Sequence, residues 1–158
     1  MPAQVKRIPE GYPVVTPYLI VHDAAAAIAF YKQIFGARER MRMAMPGGRV
    51  GHAELDIGGS VVMLADEFPD MGARAPGAYN GSPVSLHLYV DDADKTVRQA
   101  EAAGAKIVHP VDTKFYGDRG GAITDPFGHT WHIATHVEDV PPDEIEKRAL
   151  ALFGSKAS

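Results

Sequence analysis

Residues 14–21 form a β-branched and aromatic run that stops at Asp23, a side chain suited to capping a helix. Ala27, Ile28, Tyr31 and Phe35 then recur at helical spacing, which predicts a helix over 24–35, and Gly36 ends it. Three strand-like pieces follow at about 38–45, 51–57 and 60–65, with Pro46-Gly47-Gly48 and Gly58-Gly59 as the turns between them. The same order then returns. Residues 84–90 read as a strand, Asp91-Asp92 starts a helix over 93–103, and Gly104 closes it. Residues 106–109, 120–124 and 130–135 are the strands that follow. Val21 and Val90 stand 69 residues apart, and Gly36-Ala37 and Gly104-Ala105 stand 68 apart. Strand, helix and three strands, twice over, is a duplicated βαβββ unit.

The organisation expected from this pattern is an N-terminal tail over 1–13, a first module over 14–66 and a linker over 67–83. A second module over 84–136 and a C-terminal helix and tail over 137–158 complete it. The linker is rich in Pro, Gly, Asp and Asn, and a connection of that length usually serves as a lid or a crossover. Phe68, Met71 and Arg74 either close over an opening or anchor a simple crossover. In the last helix Ile145, Ala149 and Leu152 share one face, which covers either its own subunit or a partner.

Composition narrows the class. Over 158 residues, 46% are hydrophobic and 23% charged, which is ordinary globular usage. No cysteine is present, so thiol nucleophiles, thiolate zinc sites and disulfides are excluded. A net charge of −4 with no Lys/Arg run argues against nucleic acid as a partner. No apolar stretch approaches the ~20 residues a bilayer span needs, and the first residues lack the apolar core of a signal peptide. The expectation is a soluble, cytoplasmic protein with neither nucleic-acid nor membrane partners. No Gly-x-Ser-x-Gly elbow, phosphate loop or dinucleotide fingerprint occurs.

The first half carries Thr16-Pro17-Tyr18-Leu19-Ile20-Val21, then Ala27-Ile28-Ala29-Phe30-Tyr31, then Ile34-Phe35-Gly36-Ala37. The second half carries Ala102-Ala103-Gly104-Ala105 and Asp125-Pro126-Phe127-Gly128-His129-Thr130-Trp131. Together these segments resemble the vicinal-oxygen-chelate superfamily of glyoxalases, bleomycin-resistance proteins and extradiol dioxygenases, the Asp-Pro-x-Gly turn being the most recognisable signature. Within that superfamily the chain looks like the phosphonate-operon-associated glyoxalase-like proteins. The resemblance implies an α+β fold: two βαβββ modules forming a curled mixed sheet around a cavity, with helices outside. It also implies a homodimer.

Alternation along the strands assigns faces. Val84, Leu86, Leu88 and Val90 oppose Ser85, His87 and Tyr89, and Trp131 and Ile133 oppose Thr130 and His132. Thr16, Tyr18 and Ile20 oppose Leu19 and Val21, and Met63 opposes Val62 and Leu64. The polar-bearing sets are expected to line the cavity and Trp131 to pack under a helix. Metal-using relatives take two His and two carboxylates from four strands, and the corresponding positions here are Thr16, Met63, Ser85 and His132. Only one of these is a normal ligand for a hard or borderline divalent ion. The usual metal site is therefore expected to be absent, with no cofactor. His52, Glu54, His87 and His132 form the alternative, a displaced divalent-metal set.

The Gly117-Asp118-Arg119-Gly120-Gly121 stretch reads as a hairpin turn, with Phe115, Tyr116, Asp118 and Arg119 at the cavity mouth. The expected ligand-binding residues are Thr16, Tyr18, Met63, Ser85, His87, Tyr89, Tyr116, Arg119 and His132. The expected function is binding of a small organic molecule between the modules. The alternative is a metal-dependent lyase, isomerase or dioxygenase using the displaced ligands.

Overall fold

The computed structural model describes residues 4–154 and divides into two compact units, one ending at Gly81 and one starting at Ser82. No helix among the described residues is long and apolar enough to cross a membrane. Each unit is a four-stranded mixed sheet with a helix on one face, and neither sheet is closed.

In the first unit the order along the chain is β1 (Tyr18–Val21), α1 (Ala24–Phe35), β2 (Arg38–Ala44), β3 (Val50–Ile57) and β4 (Ser60–Asp66). The sheet runs β1-β4-β3-β2, parallel between β1 and β4 and antiparallel elsewhere. Asp23 caps α1 by accepting from the Ala26 amide at 3.0 Å, and Gly36 ends it in the left-handed region at φ 68°. Ala27, Ile28, Tyr31 and Ile34 bury one helix face, and Leu19, Val21, Ala53, Leu55, Val62 and Leu64 bury the facing side of the sheet. The other side of that sheet carries Tyr18, His52, Glu54 and Met63.

The second unit repeats the plan with β5 (Ser85–Tyr89), α2 (Ala93–Ala102), β6 (Lys106–Thr113), β7 (Asp118–Thr124) and β8 (Thr130–His136). Its sheet runs β5-β8-β7-β6, again with one parallel pair. Val97, Ala100, Ile123, Trp131 and Ile133 form the buried layer. Trp131 is 2% exposed, and its indole donates to Asp125 Oδ2 at 2.9 Å. That aspartate also accepts from the Phe127 and His129 amides, which ties the Asp-Pro-Phe-Gly turn. A further helix, α3 (Pro142–Phe153), follows. Arg148 fastens it by donating to the Phe115 carbonyl and to Glu138, and the Phe153 ring meets Phe115 edge-on at 5.9 Å.

Three local expectations need correction. The first strand begins at Tyr18, not at residue 14, because Pro17 has no amide to pair, and Val14 and Val15 stay exposed. The β6 strand extends through Pro110 to Thr113, which an edge strand with register shifts tolerates. The glycine-rich stretch read as a hairpin turn is mostly strand: β7 begins at Asp118, and the turn lies over 114–117. Gly117 makes it with φ 103°, where any Cβ would collide with the Glu138 carbonyl. The segment after β4 also has structure, with 3-10 turns at Pro69–Met71 and Pro76–Tyr79 and a bridge between Phe68 and Ala73. There the Arg49 guanidinium lies over the Phe68 ring at 4.4 Å, while Met71 and Arg74 face solvent.

Candidate functional site

Register places one chemical row across each sheet, on the side away from the helix. In the second unit His87 pairs with His132, His132 with Ala122, and Ala122 with His109. Cross-strand partners share a face, so one line across the sheet carries three imidazoles. The His87 and His132 rings are nearly parallel, 17° apart in plane with centroids 6.2 Å apart, and the Tyr89 ring lies 4.7 Å from His87. His87 and His132 border a pocket of about 230 Å³ whose wall includes His109, Lys114, Tyr116 and Asp118. Gly120 and Gly121 form part of its lining. A Cβ at Gly120 would lie 2.6 Å from the Ile133 carbonyl oxygen.

Beside this pocket lies a second one of about 460 Å³, lined by Tyr89, Tyr116, Asp118, His136, Asp139 and Ile145. Its polar edge is a chain of hydrogen bonds. Tyr89 donates its hydroxyl to Asp118 Oδ2 at 2.9 Å. His136 holds Asp118 through Nδ1 at 2.8 Å and Asp139 through Nε2 at 2.7 Å. Burial opposes ionisation of Asp118, yet the bonds from His136 and Tyr89 and the charges of His136 and His87 outweigh it. The carboxyl is held below its ordinary range. The bond to Asp118, then that to Asp139, raises His136, and the bond to Asp118 raises Tyr89.

The first unit has its own polar row. Tyr18 pairs with Met63, Met63 with Glu54, and Glu54 with Met41. The Tyr18 hydroxyl meets His52 Nδ1 at 2.8 Å, His52 Nε2 meets Glu54 Oε2 at 2.8 Å, and Tyr12 donates to Glu54 Oε1. Glu54 is 5% exposed. Its burial favours the neutral acid, but the bonds from His52 and Tyr12 and the nearby His52 and Arg40 charges prevail and lower its pKa.

The structure thus joins His87, His132 and Tyr116 at one pocket, with Tyr89 between that pocket and the next. Thr16 precedes β1, half-buried; Ser85 is exposed opposite Thr130; Met63 is half-buried between Tyr18 and Glu54. Arg119 lies elsewhere. It alternates with Asp118 and binds Asp94 of α2 through two bonds of 2.8 and 2.9 Å, on the helix side of the sheet. Sequence reasoning passed over Tyr12, His109, His136 and Asp139. His109 was detectable as the last residue of an expected strand, whereas Tyr12 sits in a segment without periodicity.

The residues at the family's metal positions are two hydroxyls, a thioether and one imidazole, which do not suit a hard or borderline divalent ion. In the alternative set, His52 spends both ring nitrogens on Tyr18 and Glu54. No group of three or more His, Asp or Glu among the described residues is arranged to hold a metal ion.

The sequence model of the Glyoxalase/Bleomycin resistance protein/Dioxygenase superfamily matches residues 13–133. The chain belongs to this superfamily. Among relatives of this superfamily member, an uncharacterized protein of Mycobacterium tuberculosis is 42% identical over 137 residues, covering 85% of this chain and 81% of its own. The crystal structure of TioX from Micromonospora sp. ML1 aligns with TM-score 0.60 and 26% identity, over 82% of this chain and 100% of that one. The X-ray structure of the Arabidopsis thaliana gene product At5g48480 aligns with TM-score 0.63 and 30% identity, over 78% and 98%.

Proposed function

We propose that this superfamily member binds a small polar organic molecule on the open face of its second sheet, without a metal ion. The parallel His87–His132 pair at the head of the pocket carries this reading. A neutral imidazole donates through one nitrogen and accepts through the other, so two parallel rings can hold a carbonyl and a hydroxyl together. Tyr89 and Tyr116 add flat apolar surface beside them, the combination that orients small ligands in partly apolar pockets. Donor chemistry at the family's metal positions supports a metal-free site, as argued above. The proposed assembly is a homodimer and the proposed compartment the cytoplasm, in keeping with the phosphonate-operon-associated glyoxalase-like proteins that the sequence resembles.

The test is a nuclear magnetic resonance titration of the full chain with a panel of small carbonyl- and hydroxyl-bearing fragments in the presence of EDTA. The reading expects hits that shift the His87 and His132 ring resonances together. Hits confined to other residues, or binding seen only after zinc, nickel or manganese is added, would overturn it.

A further inference from the structure

The first unit holds a hydrogen-bonded line whose direction is fixed by one carboxylate. Glu54 is buried and its two oxygens are both occupied, Oε2 by His52 and Oε1 by Tyr12. An ionised carboxylate only accepts, so both partners must donate to it. The proton of a neutral His52 therefore sits on Nε2, which leaves Nδ1 as a lone pair. The atom facing that lone pair, 2.8 Å away, is the Tyr18 hydroxyl, which must be the donor. The Tyr18 oxygen then presents only lone pairs to its surroundings. Tyr18 is 47% exposed.

The fold does not require this line. The second unit builds the same sheet with the same register, and there Tyr18 is matched by His87, Met63 by His132, and Glu54 by Ala122. A βαβββ sheet therefore forms without a carboxylate at this place in its third strand. A buried glutamate that the architecture can do without is a costly feature to keep for packing alone.

We propose that Glu54, His52 and Tyr18 form a proton relay that makes Tyr18 Oη a proton-accepting group on the open face of the first sheet. When a bound molecule gives up a proton to Tyr18 Oη, the phenol's own proton passes to His52 Nδ1. The imidazolium formed is held against Glu54, and no other reactant is needed. Tyr18 is the group that touches substrate, while His52 and Glu54 are positioning residues. Met63, in register with Tyr18, and Met43, in register with His52, flank the line with flexible apolar surface. The class of molecule this fits has an apolar body and one weakly acidic O–H or N–H group. The relay lies wholly in the first unit and stands independently of the histidine pair in the second.

The experiment acetylates the full-length chain with N-acetylimidazole near neutral pH and follows each tyrosine by peptide mass spectrometry. In this reaction the acetyl C–N bond breaks, an ester C–O bond forms at Tyr18 Oη, and the phenol proton leaves through His52 to the departing imidazole. Tyr79 is the internal reference, being more exposed at 65% and outside the line. A relay makes Tyr18 react at least about tenfold faster than Tyr79, a threshold set below the roughly 10²-fold or more that a positioned base typically supplies. His52→Gln then brings Tyr18 to the rate of Tyr79 or below, and Glu54→Gln gives an intermediate rate. A wild-type Tyr18 no faster than Tyr79 overturns the proposal and needs no variant to fold. An unchanged Tyr18 rate in a folded His52→Gln protein overturns it as well.

Discussion

The amide of Ala24 donates to Asp66 Oδ1 at 2.8 Å, so the first residue of helix α1 is pinned to the end of strand β4. The second unit repeats this bond 69 residues on, where Ala93 donates to Thr135 Oγ1 at 3.0 Å and the threonine donates in turn to the Val90 carbonyl. Asp66 also accepts from the Val50 amide at 2.7 Å and is 6% exposed. Asp66→Ala strands two buried amides and is expected to cost about 2–5 kcal/mol. Thr135→Val removes two neutral, part-buried bonds, from the Ala93 amide and to the Val90 carbonyl, and is expected to cost about 1–3 kcal/mol, less than Asp66→Ala. Urea unfolding of both variants checks the order.

Asp125 is the corresponding fixed point of the last turn, because it holds the Phe127 and His129 amides and the Trp131 indole. Asp125→Ala is expected to lower stability by about 3 kcal/mol or more, since three donors lose their acceptor. It should also broaden the Trp131 indole resonance. Trp131→Phe keeps an aromatic ring but leaves a small void in the buried layer and one acceptor oxygen of Asp125 without the indole, so a smaller loss, about 2 kcal/mol, is expected.

Much of this was legible because the repeat constrains it. Period-two alternation puts Trp131 under α2 and His132 on the opposite face, and the 69-residue offset aligns Tyr18–Met63 with His87–His132. The hydrogen-bonded line of the first unit was not legible. Tyr18 lies on β1 and His52 and Glu54 on β3, with β4 between them, so their contact depends on side-chain reach across an intervening strand. Arg119 shows the opposite limit. Reading residues 117–121 as a turn frees its side chain to face a ligand, but four residues of strand in that stretch fix its direction toward Asp94.

The bonds around His136 imply a pH dependence. Its folded pKa is raised, so its contribution is complete below the ordinary histidine value and is lost as pH rises through the raised one. Asp118 is lowered, so its contribution is present above the ordinary carboxylate range and is lost as pH falls through the depressed value. His136→Gln should therefore destabilise most near pH 5.5 and much less near pH 9. Urea midpoints at those two pH values decide it, and an equal effect at both contradicts the assignment.

A homodimer is expected from the apolar surface the single chain leaves uncovered. Met41, Met43 and Met45 are exposed on or next to the edge strand β2, as are Leu150 and Leu152 on α3. Light scattering across a wide concentration range should give twice the chain mass, and a constant mass of 17.0 kDa contradicts the expectation.

Metal-free ligand capture by the histidine pair is tested most directly by isothermal titration of the strongest-binding fragment in EDTA. The proteins compared are the wild type, His87→Ala, His132→Ala and, as a control in the other unit, His52→Gln. Loss of a paired polar contact should weaken binding about tenfold or more in each of the first two variants and leave the control unchanged. Affinity unchanged in His87→Ala and His132→Ala, or binding that EDTA abolishes in the wild type, would contradict the account.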